Sequence, residues 1–523
     1  MKPLSAGGAG GSVAATAASG TEPGSVLLVV HGLPPDEHTG TPLVAYGYAT
    51  ALARSGWAVT VLAMGADAPP WGDLEVVQCA GEPFARVPVR PITHAGSVWT
   101  VDAPVTPLDP TPSGRSLGAW RAGAGAAEAV HARGPDDAIR RLLHQIRPSV
   151  VHVVDNVHLP LSIPEIAHHV GIPVVRTVAC AEDLCALVAP VSTCSGPEGY
   201  CAAPLTVAHC SACVAHCGDP AWAHFAADAR PVVDIRRREH LTGLLQVKRA
   251  RAVTHFTSVY DRVVFASAGF RAYFEQTLPL DPSRTRTIPM GVDLPAAAAP
   301  AVRTRAGGAE ADPGAEPQPG TEPERGTSSS TMRSTTSAAR GPGAGSPLTF
   351  LLLATADPAK GISVVVDAFT SEELSGRDDW RLVLAGGGDR SRFGALLDDR
   401  RVTDYGPYRP EDLPRLTGLA EVGLSTSVFE TFHRVTREYL AGGLAVVGAT
   451  AFGISDIVVH GTNGLRFEHR DPASLRRVLL DLVSDRALVD RLRRGASSTA
   501  IRRVDDEVAD IAALYREVLG TTS

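Results

Sequence analysis

The sequence predicts an α/β protein made of two doubly wound domains in tandem. Three observations predict it. Strand-length apolar runs recur without alternation, they are separated by helical stretches, and the alternation stops over residues 295–346 before it begins again. An apolar run that does not alternate is the pattern of a strand covered on both faces, as in a parallel sheet flanked by helices.

The first element is SVLLVVHG (25–32), read as a buried strand. A loop ending in His38-Thr39-Gly40-Thr41 follows, then a helical run PLVAYGYATALARSGW and a second strand AVTVLA, which together make a β-α-β unit. The pattern recurs at SVVHVV (149–154), IPVVRTV (172–178) and DRVVFAS (261–267), so residues 25–294 are expected to form the first domain. Residues 295–346 hold almost no large apolar side chain to offset the entropy of ordering, and are expected to be a disordered linker or insertion. Beyond them come LTFLLLAT as a strand, PAKGISVVVDAF as a helix, and the strands WRLVLAGGG, EVGLSTS, LAVVGA and NGLRF, a second doubly wound domain over residues 347–503. The run VDDEVADIAALYREVL within 504–523 is an amphipathic helix that either returns to the first domain or simply ends the chain.

With 523 residues, 44% of them hydrophobic, the chain has material for two proper cores. A net charge of -7 without any long basic run argues against a nucleic-acid partner. Residues 1–24 lack the apolar run of a secretory signal, so they are expected to be a disordered leader and the protein to stay in the cytoplasm. No stretch approaches the roughly 20 apolar residues of a membrane span. Peripheral association with the inner face of the membrane is left open.

The basic residues are almost all arginine: of 49, only Lys2, Lys248 and Lys360 are lysine. A lysine inside an ordered motif therefore invites a specific reason, such as a compact point charge on a flexible stem, although Lys248 has no motif around it.

The stretch VFETFHRVTREYLAGG (428–443) sets Glu430 and Glu438 eight residues apart. On one helix that spacing is roughly 12 Å along the axis, too far for a single acid/base pair and suited to the two ends of an elongated ligand. With a helix starting near His433, the backbone N-H groups of Arg434, Val435 and Thr436 would face a bound anion with the helix dipole behind them. Lys360, in DPAKG just after a strand, would add a counter-charge, and the glycines Gly386 and Gly387 after RLVLA would let backbone approach a ligand closely. The set describes a sugar nucleotide, with cations and amides for its diphosphate and a carboxylate at either end.

These motifs in this order, SVLLVVHG with its Gly40 loop, DRVVFASAGFRAYFEQT, RTRTIPMGVD, DPAKGISVVVDAF, LVLAGGGD, the E-x7-E pair and GISDIVVHGTNGLRF, resemble the retaining GT-B glycosyltransferases of family 4, also called glycosyl transferase group 1. The resemblance implies a GT-B fold, two Rossmann-like domains facing a cleft, and transfer of a sugar from a nucleotide-diphosphate sugar to a hydroxyl acceptor in glycan assembly. It implies Glu430 on the donor sugar, Glu438 on the ribose, Lys360 on the diphosphate, and Gly40 with Thr41 on the acceptor side. It implies no metal or other cofactor for catalysis. Three departures stand out: Thr355 where the family has arginine, Ala179 where it often has histidine, and His433 where it commonly has glycine. They keep open a binding protein without activity, beside a phosphorylase or epimerase of the same fold. Asp155, His158, Glu182 and Asp183, at the carboxyl ends of first-domain strands, are candidates for acceptor contact or base, with capping and surface roles as the alternative.

Seven of the eight cysteines fall within residues 180–217. In a cytoplasmic protein such density more often means zinc than bridges, with reduced thiols without metal, and disulfide or iron-sulfur chemistry, as the alternatives. Cys210 and Cys213 supply half a tetrahedral structural site, which Cys185 and Cys201 would complete; Cys194, Cys217, His209 and His216 are alternative ligands.

Overall fold

The computed structural model describes residues 24–292 and 346–520, interrupted by gaps of which the longest are 91–132, 186–200 and 217–234. The expected linker at 295–346 falls almost wholly outside the described residues, as do residues 1–23 of the leader, and His158. The chain divides into two compact units, one of Met1–Cys194, Cys201–Gly291 and Arg502–Ser523, the other of Ser195–Tyr200 and Val292–Ile501.

The first unit is built on β1 (Ser25–Val29), β2 (Ala58–Met64), β3 (Val77–Gln78), β4 (Ala85–Val89), β5 (Val150–Val153), β6 (Val174–Val178), β7 (Arg262–Phe265) and β8 (Thr285–Thr287). Their order in the sheet is β3-β4-β2-β1-β5-β6-β7-β8, parallel except for β3 against β4. β5 and β6 are buried throughout, as strands covered on both faces must be. The connections run outward in opposite directions from β1 and β5, so the crevice between their carboxyl ends is the topological switch point of this sheet, where open α/β sheets take ligands.

The helix Val504–Val518 packs on this unit, against the helix Gly40–Arg54. Polar groups fix it at both ends of its buried face. Glu507 accepts from Tyr48 Oη and from Gly291 N, the latter at 2.7 Å. Tyr515 Oη lies 2.6 Å from His152 Nδ1, and its ring meets Trp57 edge-on at 5.1 Å. A Cβ on Gly291 would lie 2.2 Å from the Arg503 carbonyl carbon, so only glycine allows the last segment to cross there.

The second unit has β9 (Leu348–Leu353), β10 (Trp380–Ala385), β11 (Val402–Gly406), β12 (Val422–Ser425), β13 (Ala445–Ala449) and β14 (Gly464–Phe467), all parallel, in the order β11-β10-β9-β12-β13-β14. Its switch point lies between β9 and β12. The fold is therefore α/β with two Rossmann-like sheets. The short strands β3, β4, β8 and β11 have no counterpart in the apolar runs of the sequence. β11 (VTDYG) has no buried residue, which is why hydrophobicity did not mark it.

One expected helix is broken. PAKGISVVVDAF becomes a short 3-10 turn, Pro358–Lys360, and a helix Ile362–Phe369, separated by Gly361 at φ 71°. Among the described residues, no helix is long and apolar enough to cross a membrane.

Candidate active site

In the second unit the segment after β12 passes through Glu430 to His433, which caps the helix Arg434–Ala441. Two loops are joined here. Val428 N donates to Ala359 O at 2.9 Å, and Thr426 Oγ1 to Lys360 O at 2.8 Å. A Cβ on Gly361 would stand 2.1 Å from Thr426 O, so the left-handed glycine both turns the chain and lets the loops touch. The result sets Lys360 Nζ 2.6 Å from Glu430 Oε1. Although burial opposes its charge, Lys360 and His433 hold the Glu430 carboxyl below the usual range.

Glu430 is held from its other side as well, its carbonyl accepting from Gly453 N at 3.1 Å. Arg437 sits over the Phe432 ring at 3.8 Å and donates to the carbonyls of Phe432 and Gly453. Arg437 therefore braces the turn; it is buried and faces backbone rather than a ligand.

His433 adopts φ 53°, a left-handed conformation that glycine takes at no cost, so the glycine that the resemblance implies at this point would fit this backbone without strain. The ring compensates by capping the helix: Nδ1 accepts from Thr436 N at 3.2 Å and lies 2.5 Å from Thr436 Oγ1. Burial pushes the imidazole down to about 4, against the opposing pull of Glu430, so it is neutral near pH 7. This corrects the expectation of three amides for an anion, because the Thr436 N-H is already taken by the His433 ring.

Glu438 lies on the buried face of the same helix and accepts from Arg434 Nε at 2.6 Å. Tyr408, after β11, is close enough that burial and then the Glu438 charge raise its phenol well above the usual value. Tyr408 was not legible as a site residue in the sequence, where it lies just past the end of a strand that hydrophobicity did not mark.

Gly386 and Gly387 part company. Gly386, at φ 143°, presses on backbone, with a Cβ there only 1.9 Å from Ala354 O, so its glycine serves the packing of β10 on the β9 loop. Gly387 has open space around its missing Cβ. Thr355 is exposed beside them.

In the first unit, Gly40 and Thr41 open the helix Gly40–Arg54, Gly40 exposed with nothing near its missing Cβ. Glu182 and Asp183 both pair with the fully buried Arg176, at 2.6 and 2.7 Å, which makes them structural counter-ions rather than acceptor ligands. Asp155 is buried at the end of β5 and spends both oxygens on His31, Oδ1 on its N-H at 2.9 Å and Oδ2 on its Nδ1 at 2.7 Å. His31 went unremarked in the sequence because it follows an apolar strand as a single polar residue.

Cys185, Cys201 and Cys210 are buried. Arg249 joins their segments by donating to Leu205 O and Leu184 O at 2.7 and 3.0 Å, and Tyr273 Oη donates to Cys201 O at 2.7 Å. Among the described residues, no group of three His, Cys, Asp or Glu side chains is placed to hold a metal ion, and the side chain of Cys213 lies outside those described.

Residues 347–485 match the family described as Glycosyl transferases group 1. The second unit carries a glycosyl transferases group 1 domain. The Lys360, Glu430 and Glu438 positions all lie in this group 1 domain. The chain is 35% identical over 176 residues to a D-inositol 3-phosphate glycosyltransferase of Acidothermus cellulolyticus, a match that covers 31% of this chain and 39% of that protein. The chain thus spans about two fifths of that relative. Among solved structures it is similar to sucrose-phosphate synthase from Thermosynechococcus elongatus, with TM-score 0.58 and 15% identity over 95% of this chain and all of that one. It is also similar to Anabaena HepE, solved in complex with UDP and glucose, with TM-score 0.51 and 13% identity over 95% of this chain and 99% of that one. At those identities the likeness is one of fold, and it agrees with the two Rossmann-like sheets of a GT-B protein.

Proposed function

We propose that the protein transfers a sugar from a nucleotide-diphosphate sugar to a hydroxyl acceptor, with retention at the anomeric carbon, in glycan assembly at the cytoplasmic side of a membrane. The observation that carries this reading is the convergence of Lys360, Glu430 and the start of the Arg434–Ala441 helix within the group 1 domain. The names of the relatives, and the UDP held by HepE, support the donor class.

In this reading the diphosphate takes the Lys360 ammonium and the N-H groups of Arg434 and Val435. Its departure with the electrons of the broken bond is eased by those preorganised charges. Lys360 must then trade part of its contact with Glu430 for phosphate, which leaves the carboxylate to accept from sugar hydroxyls. Glu438 accepts from the ribose, giving the two ends of the ligand their two carboxylates. No protein nucleophile is assigned, and positioning supplies the rest. Metal is not required for these steps.

Thr355, exposed where the resemblance implies an arginine, favours a second reading in which the donor binds without turnover. One experiment separates them. Wild type and Glu438→Ala are incubated with UDP-, GDP- and dTDP-sugars, with binding followed by saturation-transfer NMR and release of nucleotide by its phosphorus signals. Binding with slow release by wild type, weakened in the variant, supports the transferase. Binding without release, also when glycan and inositol phosphate acceptors are added, supports the second reading, and no binding removes both.

A further inference from the structure

We propose that His433 is a positioning residue for the donor sugar: acting through Ser427, its ring holds the Glu430 carboxylate in place while Lys360 is engaged with the diphosphate. The inference rests on the transferase reading above, and every residue in it belongs to the second unit.

The first reason is that the ring is used on both sides. Capping the helix Arg434–Ala441 occupies Nδ1, which accepts from Thr436 N at 3.2 Å. A cap needs no more than that, and asparagine or aspartate supplies such an acceptor from a shorter side chain. The chain instead places a histidine in the left-handed region, which a Cβ disfavours. What the histidine adds is its far nitrogen: Nε2 stands 3.3 Å from Ser427 Oγ and 3.9 Å from Glu430 Oε1.

The second reason is the direction of the protons. Burial, with the Lys360 and Arg437 charges, outweighs the pull of Glu430 and keeps the ring neutral. A neutral ring whose Nδ1 accepts carries its proton on Nε2. That N-H donates to Ser427 Oγ, which leaves the single Ser427 hydroxyl proton to donate to the Glu430 carboxylate, a bond that helps hold this carboxyl below its usual range. Behind the ring, Thr436 Oγ1 lies 2.5 Å from Nδ1 and 2.8 Å from Ser425 Oγ. Protons can thus point forward all along the line, from Ser425 to Thr436, His433 and Ser427, and the line ends on an anion. Ser425, Ser427 and Thr436 are each no more than 2% exposed, and aligned hydrogen bonds strengthen one another most where water is excluded.

The third reason is what donor binding does to Glu430. Lys360 Nζ, at 2.6 Å from Oε1, is its cation. In the transferase reading that ammonium turns toward phosphate just as sugar hydroxyls arrive, so the carboxylate needs a second anchor to keep its orientation. The Ser427 hydroxyl, backed by His433, is that anchor, and it leaves the outer lone pairs of Glu430 for the sugar.

The test uses the full-length chain as wild type, His433→Asn, His433→Gln, Ser427→Ala and the His433→Asn, Ser427→Ala double variant. Asparagine puts Oδ1 where Nδ1 stands and tolerates the left-handed backbone, so it keeps the cap, but it has no atom at Nε2. Glutamine does the reverse, reaching Ser427 with its amide N-H while giving up the cap. Calorimetry with UDP, GDP and dTDP and with the corresponding sugars gives each Kd, nucleotide release gives kcat and KM, and urea denaturation gives stability.

His433→Asn is expected to keep the wild-type urea midpoint and the nucleotide Kd within about twofold, while the nucleotide-sugar Kd weakens and kcat falls by about tenfold each, the scale of one hydrogen bond to a charged group. His433→Gln is expected to unfold at lower urea yet to stay within about threefold of wild type toward the sugar. Ser427→Ala should follow the asparagine variant, and the double variant should be no worse than either single one, because both substitutions cut the same line.

A purely structural role would order the variants the other way, with glutamine impaired and asparagine normal, and that result overturns the inference. So does His433→Asn weakening nucleotide and nucleotide sugar alike, and so does wild type that binds a nucleotide but none of its sugars, which spares the diphosphate site. Wild type that binds no nucleotide, or binds the sugars and releases nothing, removes the transferase reading and this inference with it.

Discussion

Lys360 and Glu430, seventy residues apart in the chain, meet at 2.6 Å where two loops of the second sheet are stapled together. The pair joins the positive and the negative group of the candidate donor site, so binding must exchange one partner for another. Replacing Lys360 by methionine should lower kcat/KM by about 100-fold or more, the scale of losing a preorganised leaving-group charge. It should also raise the Glu430 pKa, because Lys360 is what holds that carboxyl down against burial. Steady-state nucleotide release checks the first effect; a loss below fivefold would remove Lys360 from the diphosphate.

The left-handed His433 makes a paired prediction. His433→Ala loses the helix cap but keeps the unfavourable backbone, at a cost of about 1 kcal/mol. His433→Gly loses the same cap while relieving about 1 to 2 kcal/mol of left-handed strain, so it should be the more stable of the two. It also releases the Thr436 N-H, and diphosphate affinity should rise severalfold. Urea denaturation and UDP calorimetry on both variants decide; equal stability would mean that φ 53° carries no strain here.

Gly361→Ala should destabilise the second unit and impair turnover together. The left-handed backbone alone costs about 1 to 2 kcal/mol, and the new methyl would stand 2.1 Å from Thr426 O, so the loop bearing Lys360 must shift. Melting temperature and nucleotide release should fall in the same variant; a normal melt with normal release would show that the two loops need not touch.

Acid should weaken the first unit through His152. Burial, reinforced by the Arg176 charge, pushes this imidazole down from 6.5 to about 3, where it sits between Tyr515 and Thr177. Because the folded pKa is the lower one, the unfolded chain binds the extra proton, so this contribution is complete above pH 6.5 and is lost as pH falls toward about 3. His152→Gln, which can still hydrogen-bond both neighbours, should flatten the fall in stability between pH 6.5 and 4. Denaturant midpoints at stepped pH measure it, and parallel curves for the two proteins would contradict it.

Much of this molecule is legible in its residues. The runs SVLLV, VVRTV and LTFLLL read as covered parallel strands because burial on both faces demands unbroken apolar sequence. Lys360 and the two glutamates stood out by rarity and spacing. β11, with no buried residue, did not stand out, and neither did the breaking role of Gly361, since a glycine in a helical run is ambiguous until its φ is known.

The sequence by itself determined two α/β units and the residue types of the candidate site, because periodicity and composition are local properties that survive without coordinates. Only the tertiary structure decided who faces whom. It placed the helix Val504–Val518 on the first unit through Tyr48, His152 and Gly291, spent Glu182 and Asp183 on Arg176, let His433 cap its own helix, and set His31 on Asp155 across a separation of 124 residues. Those pairings depend on which strand ends lie side by side, and strand order is fixed by long-range packing rather than by any local run of residues.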